Sequence, residues 1–101
     1  MWIYVMFDLP TGTKKERYEA NKFRNRLLDL GFLMVQFSVY NKYCSGKEAM
    51  ESIYKKIDPF VPQGGYVDML SFTDKQYEKM VRYESKIKSD KTKDKGQLVL
   101  F

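Results

Sequence analysis

The stretch Met1-Trp2-Ile3-Tyr4-Val5-Met6-Phe7-Asp8-Leu9-Pro10 decides the fold. Its apolar run from Met1 to Phe7 is unbroken and rich in β-branched and aromatic residues, the pattern of a strand buried on both faces and so placed inside a sheet. The run stops at Asp8, and Pro10 and Gly12 turn the chain. The same stretch does not read as a signal peptide: it has no basic start, is short, and leads into Asp8 and Pro10 instead of a small-residue cleavage site. No other segment approaches the roughly 18 apolar residues that a membrane span requires. A soluble, cytoplasmic protein without membrane attachment is expected.

Working outward, Thr13-Lys14-Lys15-Glu16 reads as a capping box, with threonine at the N-cap and glutamate three residues on. The helix it opens carries Ala20, Phe23, Leu27 and Leu30 on one stripe, and Gly31 closes it with Phe32 folding back. The region from Leu33 to Cys44 is too long for one strand of a small sheet, so a tight bend at Gln36-Phe37-Ser38 is expected to split it. Ser45-Gly46-Lys47-Glu48 reads as a second capping box, opening a helix with Ala49, Met50, Ile53 and Ile57 inward. Pro59 and Pro62 stop that helix, and Gln63-Gly64-Gly65 turns the chain into a strand from Tyr66 to Phe72. Thr73-Asp74-Lys75-Gln76 caps a short helix reaching about Tyr83. A polar, lysine-rich loop over about 84–96 and a last strand over 97–101 complete the reading.

The order is β-α-β-β-α-β with an appended short helix and C-terminal strand. It predicts one α+β domain over residues 1–101 of ferredoxin-like, split-βαβ type, with the first strand in the middle of the sheet. A short apolar strand at the end of the chain suits pairing with a second subunit, which would also cover a sheet edge, so a homodimer is expected.

Composition narrows the chemistry. The 101 residues include 18 lysines and arginines against 13 acidic residues, a formal charge of +5 that favours a polyanionic partner. Cys44 is the single cysteine and there is no histidine, which excludes an intrachain disulfide, a cysteine zinc cluster, a Ser-His-Asp triad and any histidine-bound metal. What chemistry exists must use carboxylates, hydroxyls, lysine, arginine or an oxygen-bound metal such as magnesium.

Asp8 is the most pointed candidate, a carboxylate displayed where a buried strand meets a loop. One carboxylate is a weak hold on magnesium, and a twofold axis beside this strand would bring two copies together. The first helix carries Lys14, Lys15, Arg17, Lys22, Arg24 and Arg26, a basic surface near Asp8 suited to phosphate. Gln36, Ser38, Tyr40 and Tyr43 make a polar and aromatic set on the middle β region, open to packing, dimer contact or base stacking.

Phe7-Asp8-Leu9-Pro10, the basic helix closed by Gly31-Phe32, Gln36-Phe37-Ser38-Val39-Tyr40, Thr73-Asp74-Lys75-Gln76-Tyr77 and Gln97-Leu98-Val99-Leu100-Phe101 together resemble the CRISPR-associated Cas2 family. The two ends look most like members from systems with Cas9. The resemblance implies a ferredoxin-fold homodimer that bridges Cas1 integrase dimers and supports double-stranded prespacer DNA during spacer acquisition. It also implies an alternative, a magnesium-dependent endonuclease on DNA or single-stranded RNA, with Asp8 of both subunits holding Mg2+ at the dimer interface. The family aspartate maps onto Asp8 and the serine of the Gln-x-Ser-Val segment onto Ser38, a weaker catalytic candidate. Lys14, Lys15, Arg17, Arg24 and Arg26 are the expected nucleic-acid contacts. Some relatives carry arginine two positions before the glutamine, where this chain has Met34. With one candidate site aspartate per chain, no histidine and no evident general base, the adaptor reading is favoured over the nuclease. A small-molecule sensor, a further use of such folds, lacks any glycine-rich ligand loop here.

Overall fold

A computed structural model describes residues 1–88. The elements are β1 (Trp2–Asp8), α1 (Lys14–Asp29), β2 (Leu33–Gln36), β3 (Val39–Tyr43), α2 (Lys47–Ile57), a 3-10 turn (Asp58–Phe60), β4 (Tyr66–Phe72), α3 (Asp74–Glu78), β5 (Tyr83–Glu84) and β6 (Ile87–Lys88). The main sheet has four strands in the order β2-β3-β1-β4, antiparallel throughout. This is the expected α+β, ferredoxin-like arrangement, with β1 inside the sheet.

Alternation along β1 builds two layers. Ile3, Val5 and Phe7 point to the helix side and pack with Phe23 and Leu27 of α1, Phe32, Tyr40 of β3 and Ile57 of α2. Phe7 meets Phe23 edge-on at 5.3 Å and lies nearly parallel to Tyr40 at 5.7 Å. Each such buried side chain contributes on the order of 1.5–3 kcal/mol of transfer free energy. Trp2 and Tyr4 point to the other face, where Trp2 stacks on Tyr77 of α3 at 4.3 Å and Tyr4 meets Phe72 edge-on. Among the described residues, cover on this face is confined to its Trp2 end. Met6 and Asp8, nearer the other end of β1, are exposed.

The expected bend is present: Phe37 and Ser38 form the turn between β2 and β3, with a register irregularity between Met34 and Gln36. The capping boxes at Thr13 and Thr73 both form. Gly31 ends α1 in the left-handed region at φ 92, and the Phe32 amide returns to the Leu27 carbonyl at 3.0 Å.

Three expectations are corrected. The Ser45 capping box does not form: the N-cap of α2 is Gly46, one residue later, and no side chain caps that helix. Helix α3 ends at Glu78 instead of near Tyr83, because Lys79 already closes it onto Gln76 and Tyr77. The start of the expected loop is a small hairpin, β5 with β6, whose turn residues Ser85 and Lys86 sit at φ 53 and 66. Two successive positive φ angles make a turn whose twist matches that of paired strands. The rest of the expected loop and the expected strand 97–101 lie outside the described residues.

Candidate functional site

Antiparallel register puts the side chains of paired residues on the same face. Asp8 ends β1 opposite Tyr66 of β4, and Met6 stands opposite both Asp68 of β4 and Val39 of β3. The open end of the sheet therefore carries Asp8 beside Tyr66 in one row and Val39, Met6 and Asp68 in the next. Asp8 and Asp68 are diagonal neighbours, a relation that spans roughly 7–8 Å between backbone positions. Asp8, Asp68, Tyr66, Phe37 and Ser38 line a shallow depression of about 250 Å³ at this end.

Local backbone geometry explains why Asp8 stands there. Ser38 adopts φ 62, unusual for a residue with a side chain, and its carbonyl accepts a hydrogen bond from the Phe7 amide at 3.0 Å. That bond fastens the β2–β3 turn to the end of β1. On the other side Gly65, at φ 78, lies so close that a Cβ would overlap the Asp8 carbonyl oxygen and stand 3.0 Å from the Leu9 Cα. Only glycine permits this approach. The strand end is thus held between two turns.

The expected site residues divide. Asp8 and Ser38 are brought together at the depression. Lys14 and Lys15 are exposed in the first turn of α1, and the Arg17 guanidinium donates to the Thr11 carbonyl at 3.1 Å, bracing the loop that leaves Asp8. Arg24 and Arg26 are half-buried and engaged within the fold: Arg24 donates to Asn21 at 2.6 Å, and the Arg26 guanidinium lies 4.3 Å over the Phe60 ring. Tyr40 is not part of an exposed aromatic set. It is 1% exposed in the core, where burial pushes its phenol pKa up against the opposing pull of nearby Arg24. Tyr43 packs edge-on against Trp2 and donates to Asp74 at 3.3 Å.

Asp68, Tyr66, Phe37 and Gly65 escaped the sequence reading as site residues. Asp68 had a legible signal, being the single charge within the apolar strand Tyr66-Val67-Asp68-Met69-Leu70-Ser71-Phe72. Phe37 and Tyr66 had none, since an aromatic residue in a β segment is more often core than surface.

The oxygen donors at the depression are two carboxylates, the Ser38 hydroxyl and the Tyr66 phenol, and the carboxylates are hard ligands of the kind magnesium takes along with waters and phosphate oxygens. No group of three histidine, cysteine, aspartate or glutamate residues is placed to hold a metal ion among the described residues. The residues fit magnesium as a partial site, one that needs a second chain or a substrate phosphate to complete it.

The family description "CRISPR associated protein Cas2" matches residues 1–80. The chain belongs to the Cas2 family. Among curated Cas2 relatives, those of Paracidovorax avenae and Flavobacterium psychrophilum are each 43% identical over 101 residues, the whole of this chain and 94% and 88% of theirs. The relative from Parvibaculum lavamentivorans is 41% identical over the full length of both chains. All three are named CRISPR-associated endoribonuclease Cas2. For a Cas2 chain, the match from residue 1 to 80 contains every element that builds the depression. No helix among the described residues is long and apolar enough to cross a membrane.

Proposed function

We propose that this chain acts as a homodimer whose open sheet ends carry a magnesium-dependent endonuclease site for RNA phosphodiesters. The observation that carries this reading is the convergence of Asp8 and Asp68 on one depression, walled by Ser38 and Tyr66. The endoribonuclease names of relatives covering the whole chain support it. The exposed apolar surface of Met6 and Leu70 beside the depression supports the dimer, which would double the carboxylates at the metal. Asp8 and Asp68 would hold the cation, which when bound supplies Lewis-acid polarisation of the scissile phosphate. Ser38, on the β2–β3 turn, would orient a phosphate oxygen or water through its hydroxyl. Lys14, Lys15 and Arg17, on the loop and helix that follow Asp8, would draw the flanking phosphates.

The test is hydrolysis of single-stranded RNA and of DNA by purified protein, with magnesium or with EDTA. Metal-dependent cleavage that disappears in Asp8→Ala is expected. Cleavage by Asp8→Ala at the wild-type rate sinks the assignment.

A second reading is an adaptor that binds double-stranded prespacer DNA and bridges Cas1 integrase dimers. The exposed Lys14 and Lys15 beside Arg17 favour it, because a duplex backbone needs only fixed positive charge. It predicts a steep fall in duplex affinity with salt, reduced in slope by about one for each of these residues changed to alanine.

A further inference from the structure

A second depression, of about 450 Å³, lies along α1. Helix α1 packs on the Ile3, Val5 and Phe7 side of the sheet, so a dimer formed through the opposite face, that of Met6 and Asp8, leaves this depression open. Tyr18, Asn21, Lys22, Asn25, Arg26 and Asp29 line it at helical steps of three and four, and Phe60 of the 3-10 turn lines it from across the seam. The Arg26 guanidinium lies 4.3 Å over the Phe60 ring, which holds it flat and half-buried. Its Nε is buried without a hydrogen-bond partner, and among the described residues neither Lys22 nor Arg26 pairs with a carboxylate, Asp29 included. Two cations therefore line one small depression with no anion between them, an arrangement that an anionic ligand would relieve.

The neighbours say what kind of anion. Tyr18, one turn before Lys22, is 62% exposed and offers a flat face. Asn25 can donate and accept together, and Asn21, whose oxygen is taken by Arg24 at 2.6 Å, keeps its amide hydrogens to donate. A bare carboxylate or phosphate would leave Tyr18 and both amides unused. We propose that this depression binds a free nucleoside monophosphate, with the phosphate on Arg26 and Lys22, the base on Tyr18 and the base edge on the two asparagines. A phosphomonoester carries about −1.5 to −2 charge at pH 7, more than the single charge of a phosphodiester, which suits a paired lysine and arginine. Its three terminal oxygens also match the planar fork of a guanidinium already fixed by Phe60. The volume falls within the range of small-molecule sites. The proposal is independent of the depression at Asp8 and of the chemistry performed there.

The full chain, labelled with 15N, is titrated in EDTA with AMP, inorganic phosphate, adenosine and the dinucleotide ApA, whose phosphate is a diester. AMP should shift the α1 amide and asparagine side-chain signals with a Kd about ten-fold or more below that of each other probe. Lys22→Ala and Arg26→Lys should each weaken AMP binding about ten-fold, the second because lysine lacks the planar fork. Tyr18→Ala should weaken AMP about five-fold and leave inorganic phosphate unchanged. Asp29→Asn should tighten AMP binding, since it removes a like charge beside the phosphate. Lys22 and Tyr18 are exposed, so their variants decide the matter even where Arg26→Lys loses its packing on Phe60. Inorganic phosphate bound as tightly as AMP overturns the proposal, because no base is then read. ApA bound as tightly as AMP also overturns it, because the depression would then be a contact for a nucleic-acid strand. So does an AMP affinity that Lys22→Ala and Tyr18→Ala leave unchanged, or the absence of any shift along α1.

Discussion

Asp8 and Asp68 stand on neighbouring strands of one open sheet face, a single diagonal step apart in the β1–β4 register. Two like charges so placed repel when nothing lies between them and share a cation when one does. Magnesium should therefore raise the melting temperature of the wild-type chain beyond what matched ionic strength does with sodium chloride. Cation at 100 times its dissociation constant is worth about 2.7 kcal/mol of stability. Asp8→Asn and Asp68→Asn should each shift the magnesium titration to higher concentration. An Asp68→Asn variant that titrates like wild type removes Asp68 from the metal site.

Gly65 sets the position of Asp8 through contact with its backbone. Gly65→Ala must relieve both an overlap with the Asp8 carbonyl and a left-handed φ of 78, at a cost of about 1–3 kcal/mol. Gly64→Ala is the milder comparison, because a Cβ there meets only the Pro10 ring, at 3.2 Å. Urea denaturation of both variants checks the order. A Gly65→Ala variant as stable as Gly64→Ala means that the strand end moves freely and that Asp8 is not held as described.

Much of this fold was legible in the sequence because its signals are local. The uninterrupted Met1–Phe7 run placed β1 inside the sheet, and the two threonine capping boxes placed α1 and α3. The candidate site was half legible. Asp8 stands next to a turn in the chain, so its display followed from neighbours in sequence. Asp68 joins it only through the pairing of strands separated by two helices, and no local pattern reports which residue of β4 will face Asp8. Arg24 and Arg26 show another gap: charge and helical spacing do not reveal that Arg24 donates to Asn21 and that Arg26 lies over the Phe60 ring. The hairpin at Tyr83–Lys88 was hidden because Ser85 and Lys86 lack the glycine or asparagine that usually announces such a turn.

The two serine and threonine caps read from sequence at the ends of the same kind of motif should behave differently. Thr13 accepts the Glu16 amide at 3.1 Å while the Glu16 carboxylate accepts the Thr13 amide at 2.9 Å. Thr13→Ala should cost about 1 kcal/mol, within the usual range for a lost N-cap. Ser45 lies outside the helix that Gly46 caps, so Ser45→Ala should change stability by no more than about 0.5 kcal/mol. Chemical denaturation at neutral pH distinguishes them, and equal losses would mean that Ser45 caps α2 in solution.

Buried tyrosines make the chain sensitive to alkali. Burial raises the phenol pKa of Tyr40, Tyr54 and Tyr77 above the ordinary value of 10.0. A group whose folded pKa is raised holds its proton longer in the native state than in the unfolded chain. Its contribution is fully present below pH 10 and is lost as pH rises toward the folded value, because the unfolded state then binds fewer protons. Tyr40 and Tyr77 are 1% and 3% exposed, so both phenols contribute to that loss. The urea midpoint should be nearly flat from neutral pH to about 9.5 and fall steeply above 10, by linkage to these phenols. Tyr40→Phe should flatten the fall, whatever it does to stability at neutral pH. A Tyr40→Phe profile parallel to wild type would mean that the Tyr40 phenol titrates alike in the folded and unfolded chains, and that its ring is reached by water in the native core.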